Sequence, residues 1–227
     1  PLPKQIVNCL DWVKVGLSGS GNLNWRDRWL ALRETLKKIS PRTKLIVVAY
    51  ADWKACDAPA PREVIDFSLR TDSPGVLLDT YTKRGGTLLE ELPLAEIRTF
   101  VTELQKAQKF IALAGSLRLE QVPLVMSLRP DIIAVRSAVC SGGRQGQVRA
   151  DLVAALRLEM EQYEFKTSEL ERKMELLEWK RSKFYDERSQ LLEKRGQIMY
   201  QEGQKVKKAE AEIEKDLAQF EEKIKQQ

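Results

Sequence analysis

Hydrophobic and polar positions follow two regimes along this chain. Through about residue 147, short runs rich in Val, Ile, Leu and Ala alternate with longer amphipathic stretches. The runs IVNCLDWVKVGL (6–17), KLIVVAYAD (44–52), GVLLDT (75–80), KFIALAGS (109–116) and DIIAVRS (131–137) read as strands. Their near-continuous apolar character suits parallel strands buried on both faces. The stretches 24–39, 61–70, 93–108 and 119–128 read as helices. Strands alternating with helices predict repeated βαβ units around a parallel sheet.

From about Gln147 no strand signal follows. Leu156, Tyr163, Leu170, Leu177, Phe184, Leu191 and Ile198 recur every seven residues. Met160, Thr167 and Met174 partly fill the companion position, which Arg181, Arg188 and Arg195 then take over. Beyond Gly203 the stripe moves by one residue, to Val206, Ile213 and Phe220, with Leu217 and Ile224. The pattern predicts a long helix with a broken heptad repeat. Such a helix packs on the preceding domain, on a second helix of its own chain, or as a self-associating coiled coil. The boundaries are therefore 1–155 for an α/β domain and 156–227 for a helical extension.

Composition narrows the function. The net charge of +5 is small beside 38 basic and 33 acidic residues, which interleave rather than gather in a stripe. That arrangement argues against a nucleic-acid partner. No apolar run approaches membrane-spanning length, and no signal peptide is visible, so no membrane partner is expected. Cys9, Cys56 and Cys140 lie far apart and form no CxxC pair. A zinc site or disulfide framework is not expected, and a reducing, cytoplasmic compartment is. Histidine is absent, so acid–base chemistry must rest on Lys, Asp, Glu, Tyr or Cys. No metal or cofactor is expected.

In parallel α/β folds ligands meet the carboxyl ends of the strands. The first strand carries Lys14 there, followed by Gly16, Ser18, Gly19 and Gly21. The second ends in Tyr50 and Asp52, the third in Asp79, Thr80 and Lys83, the fourth in Gly115 and Ser116. The fifth ends in Arg136 and Ser137, followed by Cys140, Ser141, Gly142 and Gly143. Lys14 among Trp12, Val13 and Val15 has two readings. Its stem packs while its head reaches a salt bridge, or it is desolvated, with a lowered pKa suited to base or Schiff-base chemistry. Asp79 and Lys83 form a surface ion pair, or join Lys14 in a Lys–Asp–Lys constellation. The ALAGSL and AVRSAVCSGG loops suit phosphate, because glycine admits backbone N–H groups close to an anion. The last two strands of a (β/α) barrel often build such a site.

The segments WVKVGL, VVAYAD, LLDTYTKRGGTLLEELPLAEI, IALAGSL and DIIAVRSAVCSGG resemble, in order and spacing, the (5-formylfuran-3-yl)methyl phosphate synthase family of methanofuran biosynthesis. The resemblance covers roughly residues 6–156. It implies a TIM barrel that condenses two molecules of glyceraldehyde 3-phosphate by lysine chemistry, losing phosphate and water. It implies Lys14 as proton acceptor, with Asp79, Lys83 and Asp52 as further catalytic residues. Gly115, Ser116, Arg136, Ser137, Gly142 and Gly143 fall where substrate phosphate is expected. The five strands correspond to the last five of eight, so the expected fold class is α/β, a partial barrel followed by a coiled-coil-like extension. No segment resembles the VKNP stretch that carries the family's Schiff-base lysine. A chain given in part, a split barrel completed by another polypeptide, and a decayed copy each account for that; the opening Pro1 in place of Met favours the first. An open five-stranded sheet is expected to expose its edge and its apolar inner face. The expected partners are a phosphorylated small molecule and either a second copy or a completing barrel chain. The alternative to an enzyme is a non-catalytic or split-barrel assembly protein that oligomerises through its helix.

Overall fold

The computed structural model describes residues 10–82, 85–142 and 145–225. Contacts divide the chain into two compact units, Pro1–Glu164 and Phe165–Gln227. In the first, five strands form one sheet in the order β1-β2-β3-β4-β5, and every neighbouring pair is parallel. The strands are β1 (Trp12–Val15), β2 (Lys44–Tyr50), β3 (Gly75–Asp79), β4 (Phe110–Leu113) and β5 (Ile132–Ile133). The crossovers carry α1 (Trp25–Ile39), α2 (Pro61–Arg70), α3 (Leu88–Glu91), α4 (Leu94–Lys106) and α5 (Val122–Met126). The outer strands are shorter than their apolar runs suggest. β5 keeps only the Ala112↔Ile132 and Leu113↔Ile133 pairings, and the chain turns away after Val135 into a 3-10 turn at Ser137–Val139.

Helix starts follow local chemistry. Asn24 caps α1 by accepting the Asp27 N–H at 3.4 Å. Pro61 opens α2, where a missing N–H costs nothing. Thr87 and Glu90 form a capping box at α3.

Strand alternation sorts side chains onto two faces. Val47, Ala49, Val76, Leu78, Ile111 and Leu113 point toward the helices and build the main core with Trp25, Trp29, Phe67 and Phe100. Phe67 meets Trp25 and Trp29 edge-on, at 4.8 and 5.3 Å between ring centroids. Ile46, Val48, Leu77, Ala112 and Ala114 form a second cluster on the opposite face. These five are buried, against the expectation of an exposed inner face. Curvature is the reason. Trp12 on β1 stacks on Phe110 of β4 at 4.9 Å, although two strands lie between them. Neighbouring strands sit about 4.8 Å apart, so these rings meet only because the sheet curls until its concave face shields itself. The shielding is partial: Trp12, Ile46, Leu77, Phe110 and Ile132 still border an apolar cavity of about 230 Å³.

The final helix, α6 (Ala150–Lys225), is a single span of 76 residues. It begins within the first unit, where Val153, Leu156, Met160 and Tyr163 are half-buried. In the second unit it is described through Lys225, and from Ser168 through Gln219 every residue is exposed.

Candidate active site

β1, β3 and the segments after β4 and β5 bring Lys14, Asp79, Gly115, Ser116, Arg136 and Ser137 to one cavity of about 160 Å³. Register explains the meeting. Lys14 pairs with Ile46, Val48 with Leu77, and Leu77 with Ala112, which pairs with Ile132. All lie on the concave face. Two residues on from Leu77 and Ala112, alternation places Asp79 and Ala114 on that same face at the carboxyl end.

Lys14 is not desolvated as expected of an apolar strand: it is exposed. β1 is an edge strand among the described residues, and its open side has no neighbour to cover the ammonium. Asp79 holds its own loop, since its carboxylate accepts the Thr80 N–H at 2.8 Å and its carbonyl accepts the Ala51 N–H at 2.8 Å. Lys83 and Gly143 lie outside the described residues.

The segment after β4 is held in an unusual conformation. Gly115 has φ +108°, and a Cβ there would meet Thr80 Cγ2 at 3.0 Å and Leu88 Cβ at 3.1 Å. Glycine is required by both tests. Ser116 follows at φ +50°, a left-handed conformation that few serines adopt. Leu88 N–H donates to the Gly115 carbonyl at 2.9 Å. Gln121 reaches the Thr87 hydroxyl at 3.0 Å, and Arg118 meets Glu90 at 3.0 Å. The loops after β3 and β4 are thus tied to each other. The surrounding contacts hold a locally unfavourable backbone in place. Arg136 is exposed at the cavity edge, and Ser137 is half-buried.

Two residues expected at the site stand elsewhere. Asp52 is not among the residues bordering the cavity. It is buried, and both carboxylate oxygens are taken: one accepts Tyr81 N–H at 2.6 Å, the other accepts Thr82 N–H at 2.7 Å and the Thr82 hydroxyl. Burial alone would raise this carboxyl, but the Thr82 and Tyr81 bonds outweigh it and hold it below the ordinary aspartate value. Its position is that of an anchor for the segment that follows Asp79. Gly142 is not among the bordering residues either. It sits at φ +70° in a small antiparallel excursion closed by the Cys140↔Val148 bridge and the Ser141 N–H to Gln147 carbonyl bond at 3.0 Å. The glycines after β1 have a similar structural use. Gly19 and Gly21 N–H groups donate to the Cys56 and Asp57 carbonyls, each at 2.8 Å.

Tyr50, seen in the sequence at the end of the second strand, was assigned no role there. It ends β2 on the concave face, half-buried and edge-on to Tyr81 at 5.4 Å. Burial first, and then the Asp79 charge, push its phenol above the ordinary tyrosine value. Gly16 leaves room for its hydroxyl, into which a Cβ at that position would collide. The signal was available, because Tyr50 follows Ile46 and Val48 at the strand period of two. Among the described residues no cluster of His, Cys, Asp and Glu could hold a metal ion. No described helix is long and apolar enough to cross a membrane.

A five-stranded parallel sheet flanked by helices, with polar groups gathered at the carboxyl ends of its strands, defines an α/β protein with the placement usual for an enzyme of that class. Residues 3–157 match the 4-HFC-P synthase family, and the chain belongs to it. Among curated proteins, the (5-formylfuran-3-yl)methyl phosphate synthase of Archaeoglobus fulgidus is 27% identical over 147 residues, covering 64% of this chain and 63% of that one. The synthase of the same name from Methanococcus maripaludis strain S2 is 31% identical over 152 residues, covering 65% and 64%. That of Methanopyrus kandleri is 30% identical over 150 residues, covering 65% and 63%. The chain spans about 63–64% of the length of these relatives. The crystal structure of KGPDC from Streptococcus mutans aligns with a TM-score of 0.44 at 12% identity, over 70% of this chain and 68% of that one. A likeness at that level carries no argument.

Proposed function

We propose that this chain forms the carboxyl-terminal part of a lysine-dependent barrel lyase. In this reading it condenses two molecules of glyceraldehyde 3-phosphate to (5-formylfuran-3-yl)methyl phosphate, with loss of phosphate and water. The observation that carries the reading is the shared cavity of Lys14, Asp79, Gly115, Ser116, Arg136 and Ser137. Family membership supports the same reading.

Each residue then has a task. Arg136, Ser137 and the Gly115–Ser116 backbone receive a substrate phosphate, a guanidinium beside hydroxyls and glycine backbone being a suitable anion cradle. Lys14 Nζ accepts the carbon-bound proton beside an iminium, which makes that proton acidic enough to leave. Asp79 orients the ammonium that results. Tyr50, on the strand between those of Lys14 and Asp79 and paired with Asp79 in register, stays protonated at neutral pH and serves as a further proton donor beside that carboxylate. Asp52 fixes the segment after Asp79 and acts as a positioning residue. Lys83 continues as a second lysine of the site. The iminium itself needs a lysine that no VKNP-like segment of this chain supplies. Both outer strands have one neighbour among the described residues, and we place the remaining barrel strands against those edges, where they would cover Lys14 and dry it enough to act as a base. Among the described residues, Cys56 and Cys140 are free and buried, which fits a reducing, cytoplasmic setting.

The test is product formation by the natural full-length protein. Lys14→Ala with unchanged circular dichroism is expected to reduce turnover by roughly 100-fold or more, while borohydride still traps a substrate adduct. Unchanged turnover in that variant refutes the assignment.

A further inference from the structure

Every residue of α6 from Ser168 through Gln219 is exposed, and among them are large apolar side chains at heptad spacing. Leu170, Leu177 and Phe184 are 60%, 63% and 64% exposed. Thr167, Met174 and Arg181 occupy the companion position, three residues before each of them. A seam of this size left in water is unfavourable, so it has an occupant. The flanking charges say which one. Lys166, Lys173 and Lys180 border the seam on one side, and Glu171 and Glu178 border it on the other.

We propose that α6 pairs along this seam, parallel and in register, with α6 of a second copy of this chain. In a parallel pair the first flank of one helix meets the second flank of its partner five residues further on. Lys166 then faces Glu171 and Lys173 faces Glu178, each twice by symmetry. An antiparallel pair would set lysine flank against lysine flank and glutamate flank against glutamate flank. Lys173, which meets Glu169 of its own helix at 2.7 Å, exchanges one carboxylate for another on pairing. The same complementarity recurs after the seam moves by one residue. There Leu192, Met199, Val206 and Ile213 form the stripe, and Arg188 faces Glu193 while Glu202 faces Lys207. One like-charged pair, Asp216 against Glu221, falls in the last turns. Ser189, Gly196 and Gly203 take the companion position in this second stretch. Glycine weakens a helix interior, and a Cβ at Gly196 or Gly203 would meet nothing within 4 Å in the single chain. Two glycines seven residues apart on the seam leave space for a partner backbone.

Light scattering on the purified full chain is expected to give twice the mass of one chain. Lys166→Glu with Lys173→Glu turns four attractions into four repulsions and should weaken the pair roughly 100-fold. Adding Glu171→Lys and Glu178→Lys to that variant should restore it. Orientation is read from Leu177→Cys under mild oxidation. A parallel, in-register pair links the two introduced thiols into a covalent dimer absent from the wild-type control, because they face each other across the seam. A single-chain mass at roughly 100 μM, where a pair with Kd ~1 μM is mostly associated, overturns the proposal. So does a dimer in which the introduced thiols fail to link, which would indicate an antiparallel pair or contact through another face. A dimer indifferent to the charge reversals also overturns it. None of these outcomes bears on the activity proposed for the first unit.

Discussion

Replacing Asp52 with Asn removes one of the two oxygens that hold the segment after β3. In the wild type one oxygen receives Tyr81 N–H at 2.6 Å, and the other receives Thr82 N–H at 2.7 Å together with the Thr82 hydroxyl. The variant keeps an acceptor for one backbone donor and turns an amide group, itself a donor, toward the other. A hydrogen bond to a charged group contributes about 1.5–3 kcal/mol. With two such bonds weakened at a partly solvated loop, the expected loss is about 2–4 kcal/mol. For a unit of this size that lowers Tm by roughly 5–15 °C. The effect also has a pH signature. Asp52 is held below the ordinary aspartate value in the folded protein. Its contribution is therefore complete above the unfolded value of about 3.9, and it is lost as pH falls through the lower folded value. Urea unfolding, followed by fluorescence of the buried Trp25 and Trp29, should show a large difference between wild type and Asp52→Asn at neutral pH. The difference should shrink in acid. A neutral-pH difference under about 0.5 kcal/mol, or one that stays constant into acid, would refute the anchoring role.

Other consequences of the same geometry are open to direct measurement. Gly115→Ala should lose about 1–3 kcal/mol, because a left-handed backbone and close contacts with Thr80 and Leu88 coincide there; stability within error of wild type would show that the loop relaxes freely. Trp12→Ala removes the ring stacked on Phe110 and should cost about 1–3 kcal/mol, with increased binding of a hydrophobic dye to the uncovered concave face. No rise in dye binding would mean that the stack does not shield that face. Tyr50 is held above the ordinary phenol value by burial and by Asp79. As pH rises past about 10 the unfolded phenol ionises before the folded one, so stability falls there, and Tyr50→Phe should flatten that fall. Phenolate absorbance that titrates at the ordinary value in the folded protein would contradict the placement.

Much of the site was legible strand by strand, but its assembly was not. A sequence shows that Lys14, Asp79, Gly115 and Arg136 each stand near the end of an apolar run. It does not show which of them share a wall. Asp52 and Gly142 carry the same kind of signal as their neighbours, yet one turns its carboxylate to Tyr81 and Thr82 and the other sits in a small excursion beside Cys140. Polar residues after a strand serve loop architecture and ligand alike, and only the hydrogen-bond partner separates the two uses.

The sequence by itself determined the elements. Strands covered on both faces must be apolar almost throughout, so five runs declared five strands, while the short helix that Thr87 and Glu90 cap went unread because it is a single turn with no amphipathic period. A heptad stripe requires a long helix whatever its partner, and α6 forms as a single span of 76 residues. Tertiary structure decided which faces meet. Parallel register set Lys14 and Asp79 on one concave surface. The stacking of Trp12 on Phe110, across two intervening strands, buried an inner face that a flat sheet would leave wet. The position of β1 at an edge among the described residues left Lys14 in solvent, although apolar neighbours surround it in sequence. Burial and register depend on residues distant along the chain. Local pattern can name the residues that need partners, and only the folded arrangement supplies them.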